Sequence, residues 1–271
     1  MNYTNLLNKH DHPKNWEYPP GFDYKSAQAK FAKFSNELKE AIDSIYAQTY
    51  QNWEMVIIDD ASNDKSIDIV RTCMDRDKRI KLIVLDINSG SAKARNEGLK
   101  ISLGRYIAFL DSDDLWVPDK LKKQLIFMEN NKLPITFTAY RKINENGEHR
   151  GEVNIDKTKI SYIDLLKTNH IGCLTAMIDV KLLGGKIYMP LIRKRHDHAF
   201  WLSILKRGHI AYGLNEILSI YRIRKKSLSY NKLAMLPYQW RLYRDLENMS
   251  FMRSLLHMIL YAWHGLLKWS L

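Results

Sequence analysis

The chain has 271 residues, 45% hydrophobic and 27% charged, so it can bury a sizeable core and is neither disordered nor fibrous. Its two cysteines, Cys73 and Cys173, are too few for a disulfide scaffold and suit a reducing cytoplasm. A net charge of +12 calls for an anionic partner, while the sequence has neither zinc-finger spacing nor an RNA-binding aromatic signature, so no nucleic acid is expected.

Residues 1–35 carry Pro13, Pro19 and Pro20 and no Val or Ile, so they read as an arm without a core strand or a secretory signal. From Asn36 the pattern changes. Leu38, Ala41, Ile42 and Ile45 recur at helical spacing, with Glu37 and Glu40 in the first turn. Glu54 to Ile58 is a short apolar strand running into Asp59-Asp60. Ser62, Asn63 and Asp64 can cap the helix that carries Ile67, Val70 and Met74, and Arg79 to Leu85 is a second strand. After the Asn88-Ser89-Gly90 turn, a helix runs through Ala92, Arg95, Asn96 and Leu99 to Gly104. Tyr106 to Leu110 then reads as a strand buried on both faces, followed by Asp111-Ser112-Asp113-Asp114. Pro118 stands near the start of a helix with Leu121, Leu125 and Met128, and Ile135 to Tyr140 is a further strand. Alternating strands and helices predict an α/β domain with a mostly parallel sheet covered on both faces.

Beyond Arg141 the regularity loosens. Asn146-Gly147 is a hairpin turn, Ser161 to Lys167 a short helix, Cys173 to Ile178 a short strand, Asp197 to Lys206 a helix and Ile217 to Ile223 a strand. No run of about 18 apolar residues predicts a membrane span. Residues 250–271 combine Leu, Met, Trp and Tyr with Arg253, His257, His264 and Lys268, which suits either a membrane surface or a closing helix of the domain.

Three carboxylates within four positions, Asp111, Asp113 and Asp114, repel one another unless a cation sits among them. A hard ion, Mn²⁺ or Mg²⁺, completed by substrate phosphates, suits such oxygen ligands. Asp59-Asp60 ends another strand, and the order of elements puts both acidic clusters on one sheet edge, where open α/β sheets bind ligands. Walker and dinucleotide glycine motifs are absent from the sequence.

Three segments together resemble the family 2 glycosyltransferases: A-I-D-S-I-Y-A-Q-T-Y-Q-N-W-E-M-V-I-I-D-D-A-S-N-D at 41–64, N-S-G-S-A-K-A-R-N-E-G at 88–98 and F-L-D-S-D-D-L-W-V-P-D-K-L at 109–121. The resemblance extends from about residue 36 onward and is closest to bacterial members that build capsular or teichuronic-type polysaccharides. It implies a GT-A nucleotide-sugar fold over 36–230, a nucleotide half to about 140 and an acceptor half after it, with a helical segment at 231–271. It also implies a UDP-sugar donor, a saccharide or lipid-linked saccharide acceptor, and a place at the inner face of the cell membrane. By the same resemblance Asp60 binds the uracil ring, Lys93 and Arg95 face the nucleotide, Asp111 serves the ribose or metal side, and Asp113 is the metal ligand. Asp197, in Arg193-Lys194-Arg195-His196-Asp197-His198, matches the family's general base for an inverting displacement; His196 and His198 would shape the acceptor site. Tyr221-Arg222-Ile223-Arg224 matches a further family segment and could bind phosphate.

One departure stands out. The family opens with a Val/Ile-rich strand that residues 1–35 do not supply, which exposes a neighbouring strand edge and removes a wall of the donor pocket. The expected alternative to an active transferase is therefore a catalytically impaired relative that acts as a binding or assembly subunit. A nucleotidyltransferase would gather similar carboxylates and is distinguished by pyrophosphate release.

Overall fold

The computed structural model describes residues 36–224 and 233–267; the arm expected at 1–35 lies outside them. Residues 36–46 form helix α1, which turns Leu38, Ala41 and Ile42 inward at the spacing of one apolar face. β1 (Met55–Asp59) and β2 (Ile80–Val84), joined through α2 (Ser66–Arg76), pair in parallel from Met55↔Ile80 to Asp59↔Val84. Leu38, Ile42, Met55, Val70 and Ile80 form a small core among these elements.

α3 (Ser91–Ile101) leads to β3 (Tyr106–Ala108), β4 (Leu115–Trp116), α4 (Lys120–Asn131) and the long β5 (Ile135–Ile143). The predicted hairpin follows: Gly147 takes a φ of 83°, its N–H donates to the Asn144 carbonyl at 3.1 Å, and β6 (His149–Val153) returns along β5. After β7 (Lys159–Ile160), α5 (Tyr162–Lys167) starts at a capping box in which Ser161 and Asp164 each satisfy the other's backbone N–H. The strand expected over Cys173 to Ile178 is a 3₁₀ turn at Cys173–Thr175 followed by β8 (Met177–Asp179). α6 (His196–Leu205) and β9 (Ala211–Arg222) complete the main domain, and β9 starts six residues before the expected strand.

The larger sheet has seven strands in the order β3-β8-β5-β9-β4, with β6 on β5 and β7 on β9. The expected layering of helices on a sheet is present, but the pairing is mixed. β5 runs parallel to β9, whereas β8 enters antiparallel to both β3 and β5, and β4 is antiparallel to β9. Alternation in sequence sets layers; the direction in which a late strand enters the sheet depends on connections that no local pattern specifies.

β3 departs from expectation in burial as well. Tyr106, Ile107 and Ala108 are each half-buried rather than buried on both faces. The reason is topological: among the described residues β3 pairs only with β8 and β1 only with β2, so the sheet is interrupted between them.

The main core lies under α6, where Phe200, Trp201, Leu202 and Ile204 are wholly buried. Phe109 meets Phe200 and Trp201 edge-on at ring centroids of 6.0 and 5.9 Å. This apolar anchor fixes the helix that begins at His196. After α7 (Leu236–Arg241), α8 (Phe251–Leu267) packs along α5 and α7.

Candidate active site

The two strand ends with acids open onto one cleft of about 1520 Å³, lined by Asp60, Arg95, Asp111, Asp113, Asp114 and Asp197 among others. Each is placed by a different element. Asp60 follows β1, and its two oxygens accept the N–H groups of Ser89 and Gly90, each at 2.7 Å. Asn88 Nδ2 donates to the Asp60 carbonyl at 3.1 Å, so this acid ties β1 to the turn that opens α3. Gly90 there has a φ of 87°, a conformation glycine adopts freely. Ala61 is left-handed at a φ of 58°, a rare state for alanine and one that concentrates at functional loops. Nothing in an Asp-Asp-Ala-Ser run announces it.

Arg95 points from α3 into the cleft, where its guanidinium donates to Asp111 and to His196 Nε2, the latter at 2.5 Å. Burial works against the charge, but the neighbouring Asp111 carboxylate outweighs it and holds Arg95 firmly protonated. A guanidinium can only donate, so His196 Nε2 is an acceptor and the imidazole is neutral. Burial, then the Arg95 charge, push the His196 pKa down, in agreement with that assignment. Ser91 Oγ lies 3.3 Å from the same nitrogen. Lys93, one turn position away, faces elsewhere. Its Nζ pairs with Glu97 at 2.7 Å on the exposed flank of α3, and it does not line the cleft.

Residues 111–114 turn back on themselves, with Asp114 N–H donating to the Asp111 carbonyl at 3.1 Å. Asp113 forms an ion pair with Arg224 at 2.8 Å, and Arg222 Nε donates to the Asp113 carbonyl at 2.9 Å. Asp113 is pushed up by burial, opposed by Arg224 and reinforced by Asp111. Asp114 is 1% exposed and accepts the Arg222 N–H at 2.8 Å. Burial and the charges of Asp111 and Asp113 push it up to about 8, so it is a buried tie between this turn and β9. The expected phosphate-binding arginines are differently engaged: Arg222 also pairs with Glu40 at 2.5 Å, and Arg224 with Glu37, which straps β9 to α1. The sequence signal for that strap, two acids three apart facing two arginines two apart, is legible only once α1 and β9 are known to touch.

Asp197 occupies the first turn of α6. Arg195 before it is left-handed at a φ of 64°, and its guanidinium donates to the Tyr261 hydroxyl, so α8 steadies the approach to the helix. Asn96 adds a second brace: its side chain donates to the Met189 carbonyl at 2.8 Å and accepts the Met189 N–H at 2.7 Å. His198 does not shape the site. It is wholly buried, its Nε2 lies 2.8 Å from the Leu165 carbonyl, and burial pushes its pKa down to about 4.

Asp111 and Asp113 offer hard oxygen donors on one short turn, and Asp113 is crowded enough that a cation would relieve it. Among the described residues no group of three or more metal-type side chains is gathered, so an ion here would take two carboxylates and complete its shell from phosphates and water. The donor set fits Mn²⁺ or Mg²⁺ in that form.

Comparison with known proteins places this geometry. The model of Glycosyl transferase family 2 matches residues 32–183. The chain is 41% identical over 231 residues to the putative teichuronic acid biosynthesis glycosyltransferase TuaG of Bacillus subtilis, covering 85% of this chain and 91% of that one. It is 39% identical over 209 residues to WfgD of Escherichia coli, a UDP-Glc:alpha-D-GlcNAc-diphosphoundecaprenol beta-1,3-glucosyltransferase, covering 77% and 80%. In fold it is similar to S. aureus TarS, solved with UDP-GlcNAc, at a TM-score of 0.63 and 18% identity over 85% of this chain and 69% of that one. It is also similar to the mannosyltransferase PcManGT of Pyrobaculum calidifontis, solved with GDP-Man and Mn²⁺, at 0.61 and 17% over 80% and 61%. The fold is that of the GT-A glycosyltransferases, and the chain belongs to glycosyl transferase family 2.

Proposed function

We propose that the chain transfers a sugar, with inversion, from a UDP-sugar to a lipid-linked saccharide during cell-surface polysaccharide synthesis. The observation that carries this is the single cleft lined by Asp60, Arg95, Asp111, Asp113 and Asp197. Asp60 keeps free lone pairs for a uracil N–H while its backbone contacts hold it in place. Arg95 faces the diphosphate and Asp111 the ribose or metal side; Lys93 adds only charge from the flank. Asp113 and Asp111 would hold Mn²⁺ or Mg²⁺, which when bound stabilises the leaving diphosphate. Asp197 accepts the proton of the acceptor hydroxyl, whose oxygen attacks the anomeric carbon opposite the departing UDP. His196 links Arg95 to the start of α6, so donor binding and base placement share one contact.

The names of TuaG and WfgD support a polysaccharide product and a diphosphoundecaprenol-type acceptor. α8 supports a place at the inner membrane surface. Phe251, Met252, Leu256, Ile259 and Trp263 form an exposed apolar face on it, 55–70% accessible, and the net charge of +12 suits an anionic leaflet. No helix among the described residues is long and apolar enough to cross a membrane.

A second reading, a relative that binds nucleotide without transfer, is favoured by the interrupted sheet between β1 and β3. Calorimetric titration of UDP with and without Mn²⁺, beside Asp113→Asn, separates the two. Metal-dependent binding lost in the variant, together with transfer from a UDP-sugar, supports the first; binding without transfer supports the second. No binding by a folded chain refutes the donor site.

A further inference from the structure

The cations that line the cleft fall into two groups. Arg79, Lys81 and Arg105 each sit 2.7 Å from a carboxylate, of Asp77, Glu54 and Asp179 respectively, and Arg95 pairs with Asp111. Their charge is balanced within the fold. Arg193, Lys194 and Arg195 line the same cleft and have no carboxylate partner among the described residues. Tyrosines hold two of them instead. Lys194 Nζ lies 4.8 Å from the ring centroid of Tyr238 on α7. The Arg195 guanidinium lies 5.1 Å from the ring centroid of Tyr261 on α8 and donates to its hydroxyl. An aromatic ring orients a cation and leaves its charge uncompensated. Arg193 is exposed.

Position says which anion this charge suits. The run leads directly into His196 and Asp197, so it lies on the side of the cleft proposed for the acceptor hydroxyl. The donor diphosphate is assigned to the other side, to Arg95, Asp111 and Asp113. Away from the cleft the run meets α7 and α8, and α8 carries the exposed apolar face with Phe251, Leu256, Ile259 and Trp263. The chain thus presents a base, then fixed positive charge, then an apolar surface. A saccharide joined through a diphosphate to a lipid carries a hydroxyl, an anion and an alkyl chain in the same order. Its diphosphate has oxygens enough to accept from a guanidinium and an ammonium at once.

We infer that Arg193 and Lys194 form a subsite for the diphosphate of a lipid-linked acceptor, with Arg195 anchored on Tyr261 to hold the run beside Asp197. The inference rests on the proposed transfer to a lipid-linked saccharide and adds the residues that recognise its anionic group.

The probe is geranyl diphosphate, a soluble lipid diphosphate, titrated calorimetrically into the intact chain. EDTA is present so that no divalent ion recruits the probe to the donor side. One-to-one binding at least about tenfold tighter than that of geranyl monophosphate is expected. Arg193→Gln combined with Lys194→Gln should weaken it by about tenfold or more. Lys122→Gln combined with Lys132→Gln, at two exposed cations outside the cleft, should leave it unchanged. Both variants should be folded by circular dichroism and should bind UDP with Mn²⁺ as the parent does. Absence of geranyl diphosphate binding by the parent, or undiminished binding by the Arg193 and Lys194 variant, overturns the inference. So does an equal loss in the control pair. Equal affinity for geranyl monophosphate overturns it too and assigns the cations to single phosphates such as bilayer headgroups. Loss of UDP binding in the Arg193 and Lys194 variant gives them to the donor and overturns it as well. Absence of UDP binding by every chain, with geranyl diphosphate bound as expected, refutes the donor site and leaves the subsite standing.

Discussion

Lys120 is the most exposing test of the packing beneath the site. It is wholly buried, its Nζ lies 2.6 Å from Gln124 Oε1 and 4.7 Å from the Trp116 ring centroid, and burial pushes its pKa from 10.5 down to about 7. Between these values the unfolded chain holds a proton that the folded chain does not, so stability rises with pH across that window and carries the full penalty below it. At about 1.4 kcal/mol per pH unit the penalty is about 5 kcal/mol at neutral pH, and about 2–3 kcal/mol of it is relieved between pH 7 and 9. Lys120→Met keeps the volume and removes the charge. It also leaves Gln124 Oε1 without its donor, at about 1–3 kcal/mol. The variant should therefore be about 2–4 kcal/mol more stable than the parent at pH 7. Urea unfolding followed by tryptophan fluorescence at pH 7 and pH 9 measures both effects. The excess stability should shrink by about 2–3 kcal/mol at the higher pH. A variant less stable at pH 7, or a difference independent of pH, refutes a neutral buried amine at this position.

Asp197→Asn should lower kcat for transfer by about 10²–10⁴ with Tm unchanged; turnover near that of the parent removes Asp197 from the role of base. Asn96→Leu strips both partners from the Met189 backbone and should cost about 2–4 kcal/mol in urea unfolding, with loss of transfer rate because that brace precedes Asp197. Equal stability would show that the brace carries no weight. Paired Leu256→Glu and Ile259→Glu place charge on the open face of α8 and should abolish co-sedimentation with anionic phospholipid vesicles at unchanged Tm. Retained sedimentation would move the membrane contact elsewhere on the chain.

Much of the chain between residue 36 and about residue 140 was legible because its signals are local. Apolar runs of five residues ending in acids fixed β1 and β3, and the Asn88-Ser89-Gly90 turn fixed the start of α3. The part after it was less so: β8 is three residues long, and β9 gathers its partners from β4, β5 and β7. Pairing between strands far apart in sequence depends on side-chain fit and connection geometry, which leave no periodic trace.

The site divides the same way. The sequence by itself determined the chemistry available: carboxylates at Asp60, Asp111, Asp113 and Asp197, and a cation at Arg95. Only the tertiary structure decided which of them face the cleft. Lys93 and Arg95 are two apart on one helix, so the 100° turn per residue sends one to Glu97 and solvent and the other to Asp111 and His196. His196 and His198 are separated by the same angle, and α6 buries one against Leu165 while turning the other to the site. Asp114 differs from Asp113 by one position, yet β9 claims it as an internal acceptor. Spacing along the chain names the candidates, and the packing of distant elements around each helix and turn selects among them.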